Sequence, residues 1–302
     1  MGRLRDPRIR YERFAANVGQ AGNFNRCLAL ARGEFWTLLS ADDRLAPGFL
    51  EHALAVLDRH PELDFCVTGS TIIDHLSCQI GERRPWPTDR PLQREEAAEE
   101  LLRGAAVNLL CLLVRRATAS GLGGFRTDLT WGLDWDWILR LTERCDGWYA
   151  AALFGDYRVH PQSGTEQVLR QGSNGPQELR ILREALDRQR ASRAPRRGRG
   201  AMRQFALRQL FFADQTLRAG RRGPALANLV YALRADRWVL SRVTFWALLA
   251  GCVLPALLGP LGRLRSGRPS ALAGTTPLAA TSQSDRERNS RVPARKGRHG
   301  SL

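Results

Sequence analysis

The chain has 302 residues, is 43% hydrophobic and 25% charged, and carries a formal net charge of +16. The first two values are ordinary for a globular protein and leave room for one large domain or two small ones. The charge is uneven: residues 1–187 hold 23 Lys+Arg against 26 Asp+Glu, whereas residues 188–302 hold 23 against 4. Lys296 is the single lysine among the 46 basic residues, and no zinc-finger, RNA-recognition or helix-turn-helix pattern accompanies the charge, so no nucleic-acid partner is expected, and salt-sensitive binding through the basic tail is a remote alternative. Cys27, Cys66, Cys78, Cys111, Cys145 and Cys252 form no C-x-x-C pair and fall mostly in apolar runs, which predicts small buried hydrophobes in a reducing compartment. Met1 to Arg13 is charged, without the apolar run of a signal peptide.

In chain order, Ile9 to Phe14 alternates apolar and polar residues and predicts a strand. Asn17-Val18-Gly19 is a loop; Phe24, Leu28 and Ala31 mark a helix with Gly33 as its stop. Phe35 to Leu39 is a short apolar run that predicts a buried central strand ending at Asp42-Asp43, with a helix over 47–60 after it. Two carboxylates at the carboxyl end of a buried strand suit a divalent cation carrying a diphosphate; as residue types alone they equally suit a polar turn. Asp64 to Ile73 predicts another strand, residues 74–91 a loop, Gln93 to Arg103 a helix, and Leu109 to Val114 an apolar strand. This alternation predicts an α/β layered domain.

Gly121 to Phe125 predicts a turn before Trp131-Gly132-Leu133-Asp134-Trp135-Asp136-Trp137, where Asp134 opens a helix. A carboxylate there is stabilised by the helix N-terminus, so capping alone accounts for it. The tryptophans suit a sugar face or a core wall. A short strand over Tyr149 to Phe154 leads to Tyr157-Arg158-Val159-His160, and a charged helix spans Thr165 to Ala191. Residues 192–200 read as a basic linker, and Ala201 to Ala219 with Gly223 to Ala235 as a helical hairpin. Val243 to Leu261 holds no charge over 19 residues but is interrupted by Gly251, Pro255, Gly259 and Pro260. As a helix it would measure ~28 Å against a hydrocarbon core of ~30 Å. An interfacial or re-entrant helix is the expectation, its basic flanks attracted to anionic lipid, with packing onto the hairpin as the alternative. The last forty residues, rich in Gly, Ser, Pro, Thr and Arg, are expected to be disordered.

Three motifs occur in one order: N-x-G-x-x-x-N-x-N-x-x-L-x-x-A-x-G-E-F from Asn17, L-L-S-A-D-D-x-L-x-P-G-F-L-E from Leu38, and G-G-F…D-W-D-W-I-L-R-L followed by Y-R-V-H from Gly123 to His160. Together they resemble the inverting family 2 glycosyltransferases of GT-A fold, over about residues 6–165. The resemblance implies a partial GT-A domain over residues 1–165; the residue patterns add a helix and basic linker over 166–200, a helical hairpin with an apolar membrane-associated helix over 201–262, and a disordered basic tail over 263–302. The resemblance also implies Mg²⁺ or Mn²⁺ as cofactor, held by Asp42 with Asp43 and His160 against the diphosphate of a nucleotide-sugar donor. Ser40 stands where the family carries the first aspartate of its acidic motif. Asp134 matches the catalytic base, with Leu133 where a glutamate often precedes it. The implied acceptor is a saccharide or lipid-linked sugar at the cytoplasmic face of an anionic membrane, as in polysaccharide biosynthesis at the cell envelope. The family's opening strand–helix–strand–helix unit has no counterpart before Asp6, which predicts a truncated, poorly stable or inactive chain. The alternative function is a non-catalytic, membrane-associated scaffold.

Overall fold

A computed structural model describes residues 6–104, 107–191 and 198–257. In chain order it runs α1 (Gly19–Leu30), β1 (Phe35–Trp36), β2 (Arg44–Leu45), α2 (Phe49–Arg59), β3 (Phe65–Ile73), β4 (Gln79–Arg83), β5 (Arg90–Leu92) and α3 (Arg94–Leu101). A 3-10 turn over Leu109–Cys111 leads into β6 (Leu112–Arg115), α4 (Arg116–Gly121), α5 (Leu133–Thr142) and β7 (Gly147–Arg158). Helices α6 (Gly164–Gln171), α7 (Asn174–Ala191), α8 (Gly198–Arg218), α9 (Arg222–Ala235) and α10 (Val243–Leu257) follow. The α/β expectation holds, with helices making up the C-terminal part.

One mixed sheet has the order β1-β6-β3-β7-β2, with β4 paired to β3 and β5 to β7. Strand β3 is its axis: it pairs parallel with β7 and antiparallel with β6, and is buried from Phe65 to Ser70. That burial on both faces is why its sequence reads as a nearly continuous apolar and β-branched run. Phe65, Val67, Trp36, Trp137 and Tyr149 join one core with α1, α3, α5 and α7, while Cys66 and Leu113 join Phe49 and Leu57 of α2 in another. Phe125 stacks on Trp137 at 5.3 Å between centroids. Asn25 joins two sequence motifs: its Oδ1 accepts from the Phe125 N–H at 2.6 Å and its Nδ2 donates to the Phe125 carbonyl at 2.9 Å.

Several expected elements differ. Ile9 to Phe14 forms no strand, and Ile9 and Tyr11 are 49% and 66% exposed, because no edge among the described residues pairs with them. The Phe35–Leu39 run is paired only at Phe35 and Trp36 and lies at the sheet edge, not its centre. Residues 74–91 are not all loop: Asp74 caps a turn, with Ser77 at φ 69°, that returns β4 onto β3. Turn residues mask that hairpin, because β4 itself is mostly exposed and lacks an apolar stripe. The predicted short strand near Tyr149 is the 12-residue β7. The helix over 165–191 breaks at Gly172, which takes φ +66°; a left-handed residue stops a helix there.

Residues 198–200 open α8, contrary to the linker expectation, while 192–197 and the tail 258–302 lie outside the described residues. Helices α8, α9 and α10 share a core of Ala206, Leu210, Leu229, Phe245 and Cys252. Within this layer Asn174, Gln209 and Asn228 are fully buried on α7, α8 and α9, and none of their side-chain amide atoms has a hydrogen-bond partner among the described residues. All six cysteines are free; Cys66, Cys111 and Cys252 are buried as expected, whereas Cys27 and Cys78 are exposed.

Candidate functional site

The acidic turn follows β1 and is pinned to the far end of β7. Strand β2 places Arg44 opposite Asp156 and Leu45 opposite Gly155. Gly155 is required there, since a Cβ would collide with Leu110 and Cys111. Arg158 then makes the closure specific. Its backbone N–H donates to Asp43 Oδ1 at 2.8 Å, and its Nε donates to the Asp42 carbonyl at 2.8 Å. Its Nη1 reaches the Asp74 carbonyl at 2.7 Å and Ser77 Oγ at 3.0 Å. Ser77 Oγ also accepts from Arg44 at 2.7 Å. One guanidinium thus ties the acidic turn to the β3–β4 turn through main-chain carbonyls.

Two residues beyond Arg158, His160 Nε2 lies 3.2 Å from Asp42 Oδ2. His75, Arg158, His160, Pro161 and Gln162 line an open cleft beside this pair. Asp43 is half-buried, and burial pushes its carboxyl up to about 6; the Arg158 N–H opposes the rise and the neighbouring Asp42 adds to it. Ser40 contributes its carbonyl, which accepts from the Asp43 N–H at 3.3 Å; no hydrogen bond of its hydroxyl is present.

Asp134 stands in the first turn of α5, after Gly132 at φ +69°. Its Oδ1 accepts from the Trp135 N–H at 2.9 Å. Burial raises its carboxyl above the ordinary range, and that N–H and the charge of Arg83 pull it down. Arg83, from the end of β4, bonds Asn108 Oδ1 through Nη1, lies 5.3 Å over the Tyr157 ring, and is lowered by burial. Asn108 in turn donates to Ser70 Oγ at 2.8 Å. The Tyr157 phenol is raised by burial and feels Arg83, Asp134 and Asp43 together. The charges of Asp134 and Asp43 thus both act on the Tyr157 phenol, which relates the two ends of the site. Trp135 and Trp137 are core residues, and Trp131 donates to Glu178 Oε1 at 3.0 Å.

The structure thus joins Asp42 directly to His160 and ties Asp43 to the same clamp through the Arg158 backbone N–H, while the charges of Asp134 and Asp43 both reach Tyr157. Arg158, Arg83 and Asn108 were not singled out from sequence. Arg158 sits inside the Y-R-V-H motif, a usable signal; Arg83 lies in an Arg- and Pro-rich stretch that looks like surface. No group of three or more His, Cys, Asp or Glu able to hold a metal occurs among the described residues. The acidic end offers a two-ligand pair, Asp42 and His160. That suits a cation whose remaining positions are filled by water and substrate phosphates.

Residues 2–94 match the Glycosyl transferase family 2 profile, a span that includes Ser40, Asp42 and Asp43 and ends before Asp134 and His160. An uncharacterized protein of Mycobacterium tuberculosis (strain CDC 1551 / Oshkosh), MT1568, is 30% identical over 148 residues, covering 46% of this chain and 46% of that protein. The chain therefore matches about half the length of this relative.

Proposed function

We propose that the protein transfers a sugar, with inversion, from a nucleotide-sugar to a saccharide or lipid-linked acceptor at the anionic cytoplasmic surface of a membrane, a reading supported by the match of residues 2–94 to the Glycosyl transferase family 2 profile. The observation that carries this reading is the Asp42–His160 pair beside Asp43 in the acidic turn, with the charges of Asp43 and Asp134 both acting on Tyr157. Asp134 is the base. It takes the proton from the acceptor hydroxyl as that oxygen attacks the anomeric carbon. The bond from that carbon to the donor phosphate breaks, and the nucleoside diphosphate leaves with the electron pair. A single displacement places the new glycosidic bond on the opposite face. A carboxyl raised by burial is a stronger base than an ordinary aspartate, which favours proton transfer near neutral pH.

Asp42 and His160 would hold Mg²⁺ or Mn²⁺, with Asp43 beside them and the donor phosphates completing the shell. When bound, the cation neutralises charge on the leaving diphosphate. Arg158 fixes the acidic turn whether or not the cation is bound.

The membrane part of the reading rests on α9 and α10. Val243 and Trp246 are 82% and 53% exposed, Leu226, Val230 and Val253 are exposed too, and Arg222, Arg234, Arg237 and Arg242 are exposed in the same region. Among the described residues no helix is long and apolar enough to cross a membrane. An apolar stripe with cationic flanks suits the headgroup boundary of an anionic bilayer.

The test is release of nucleoside diphosphate by the full chain with Mn²⁺, a panel of nucleotide-sugars and saccharide acceptors. Release by the wild type that Asp134→Asn abolishes supports the enzyme. No release with any donor leaves the inert scaffold as the better reading.

A further inference from the structure

Most internal arginines of the α/β layer have every terminal nitrogen occupied. Arg115 uses Leu57 and Glu34, Arg126 uses Asp128 and Glu184, and Arg140 uses the Leu122 and Gly124 carbonyls. Arg83 is different. Its Nη1 is held by Asn108 and its guanidinium lies over Tyr157, yet its buried Nη2 has no partner among the described residues. It makes no ion pair among the described residues; Asp134 feels its charge without bonding it. An unpaired donor on a desolvated cation is costly, and a bound oxyanion removes the cost. A guanidinium with one edge fixed and the other free presents its fork to phosphate or carboxylate.

We propose that Arg83 is a substrate-binding residue whose free Nη2 donates to an anionic oxygen of a ligand lodged beside Asp134 and Tyr157. The ligand chemistry is a phosphate or carboxylate, from either the leaving diphosphate or an acidic group on the acceptor. Asn108, held in turn by Ser70, is the positioning residue that keeps the fork aimed. The proposal deepens the transferase reading, and its test does not depend on turnover.

The experiment is titration calorimetry of the full chain in EDTA, with inorganic pyrophosphate and, separately, glucuronate. Wild type, Arg83→Gln and Arg83→Lys are compared. Binding of at least one probe is expected to weaken about tenfold or more in Arg83→Gln, the size of a lost charge-assisted hydrogen bond. Loss for pyrophosphate assigns the donor phosphates, and loss for glucuronate assigns an acidic acceptor. Equal binding by wild type and Arg83→Gln overturns the proposal, as does a wild type that binds neither probe. Should Arg83→Gln fail to melt cooperatively, the Arg83 Nε–H resonance of the wild type, identified by its absence in Arg83→Lys, decides. A shift on adding either probe supports the contact, and an unmoved resonance rejects it. If Arg83-dependent binding appears but no donor is turned over, the transferase reading fails while this site stands.

Discussion

The α/β layer and the C-terminal helices put the same residue to opposite uses. Around the sheet, arginines are internal braces: Arg158 ties the acidic turn to the β3–β4 turn, and Arg140 and Arg126 flank the buried carboxylate of Asp136. On α8 to α10, Arg203 and Arg242 lie on the outside instead, stacking on Trp238 at 4.1 and 5.0 Å beside an exposed apolar stripe, although Arg208 turns inward to the Arg103 carbonyl and Glu178. A guanidinium is one planar fork in both settings. Where carbonyls and carboxylates surround it, the fork fixes geometry; where indoles and water surround it, the fork presents charge. Net charge alone would have assigned function to the helices and nothing to the sheet.

The largest effect that would sharpen this contrast lies in the sheet. Asp134→Asn is expected to lower turnover at least ~10²-fold with no loss of melting temperature; near-normal turnover removes Asp134 as the base. Since burial raises this carboxyl, the wild-type rate should fall with decreasing pH at a point above the ordinary aspartate range. Next is Arg158→Ala, which should weaken Mn²⁺ binding, measured calorimetrically with pyrophosphate present, by ~10–100-fold, the usual cost of losing a group that orients ligands. If Arg158→Ala binds Mn²⁺ normally, Arg158 is only a fold brace. On the helices, Val243→Ser with Trp246→Ser should reduce binding to phosphatidylserine vesicles about tenfold, read by co-sedimentation, while leaving nucleoside diphosphate release in solution intact. Equal co-sedimentation would break the comparison.

The smallest effect is on stability. The folded-state value of Asp43, about 6, lies above its unfolded value of 3.8. The folded chain therefore binds this proton more tightly, and stability declines as pH rises between those values and stays lower above them. Asp43→Asn should remove the decline and gain about 1 kcal/mol at neutral pH after solvent screening. Thermal melts of the metal-free chain on either side of that window test it, and an unchanged pH slope in the variant counts against the burial of Asp43.

From residue pattern alone the acidic turn, Asp134 and His160 read equally as a polar turn, a helix cap and a lone histidine; the resemblance of three ordered motifs is what singles them out. Strand β3 is legible because its apolar run is bounded by turn residues, a local signal. What sequence could not supply was pairing. Phe35 to Leu39 looks like a central strand because an apolar run carries no information on how many neighbours it has; its place at the sheet edge is a fact about other segments. Strand β4 and its Arg83 were hidden because an exposed hairpin strand has no apolar stripe. The Arg158 clamp bonds backbone carbonyls, which every residue has, so no spacing could announce its partners.

The buried amides Asn174, Gln209 and Asn228 bear on how uniquely the C-terminal helices choose their alignment. Apolar helices slide past one another at little cost, since one leucine fills another's place. Three carboxamides forbid that freedom: each alignment must offer them one another, or a shared ordered water, or else leave several donors and acceptors bare. Replacing all three with leucine should raise the melting temperature and broaden the amide spectrum of α7, α8 and α9. In that exchange a single register gives way to several, and the spacing between the outward-facing Trp246 and the sheet ceases to be fixed.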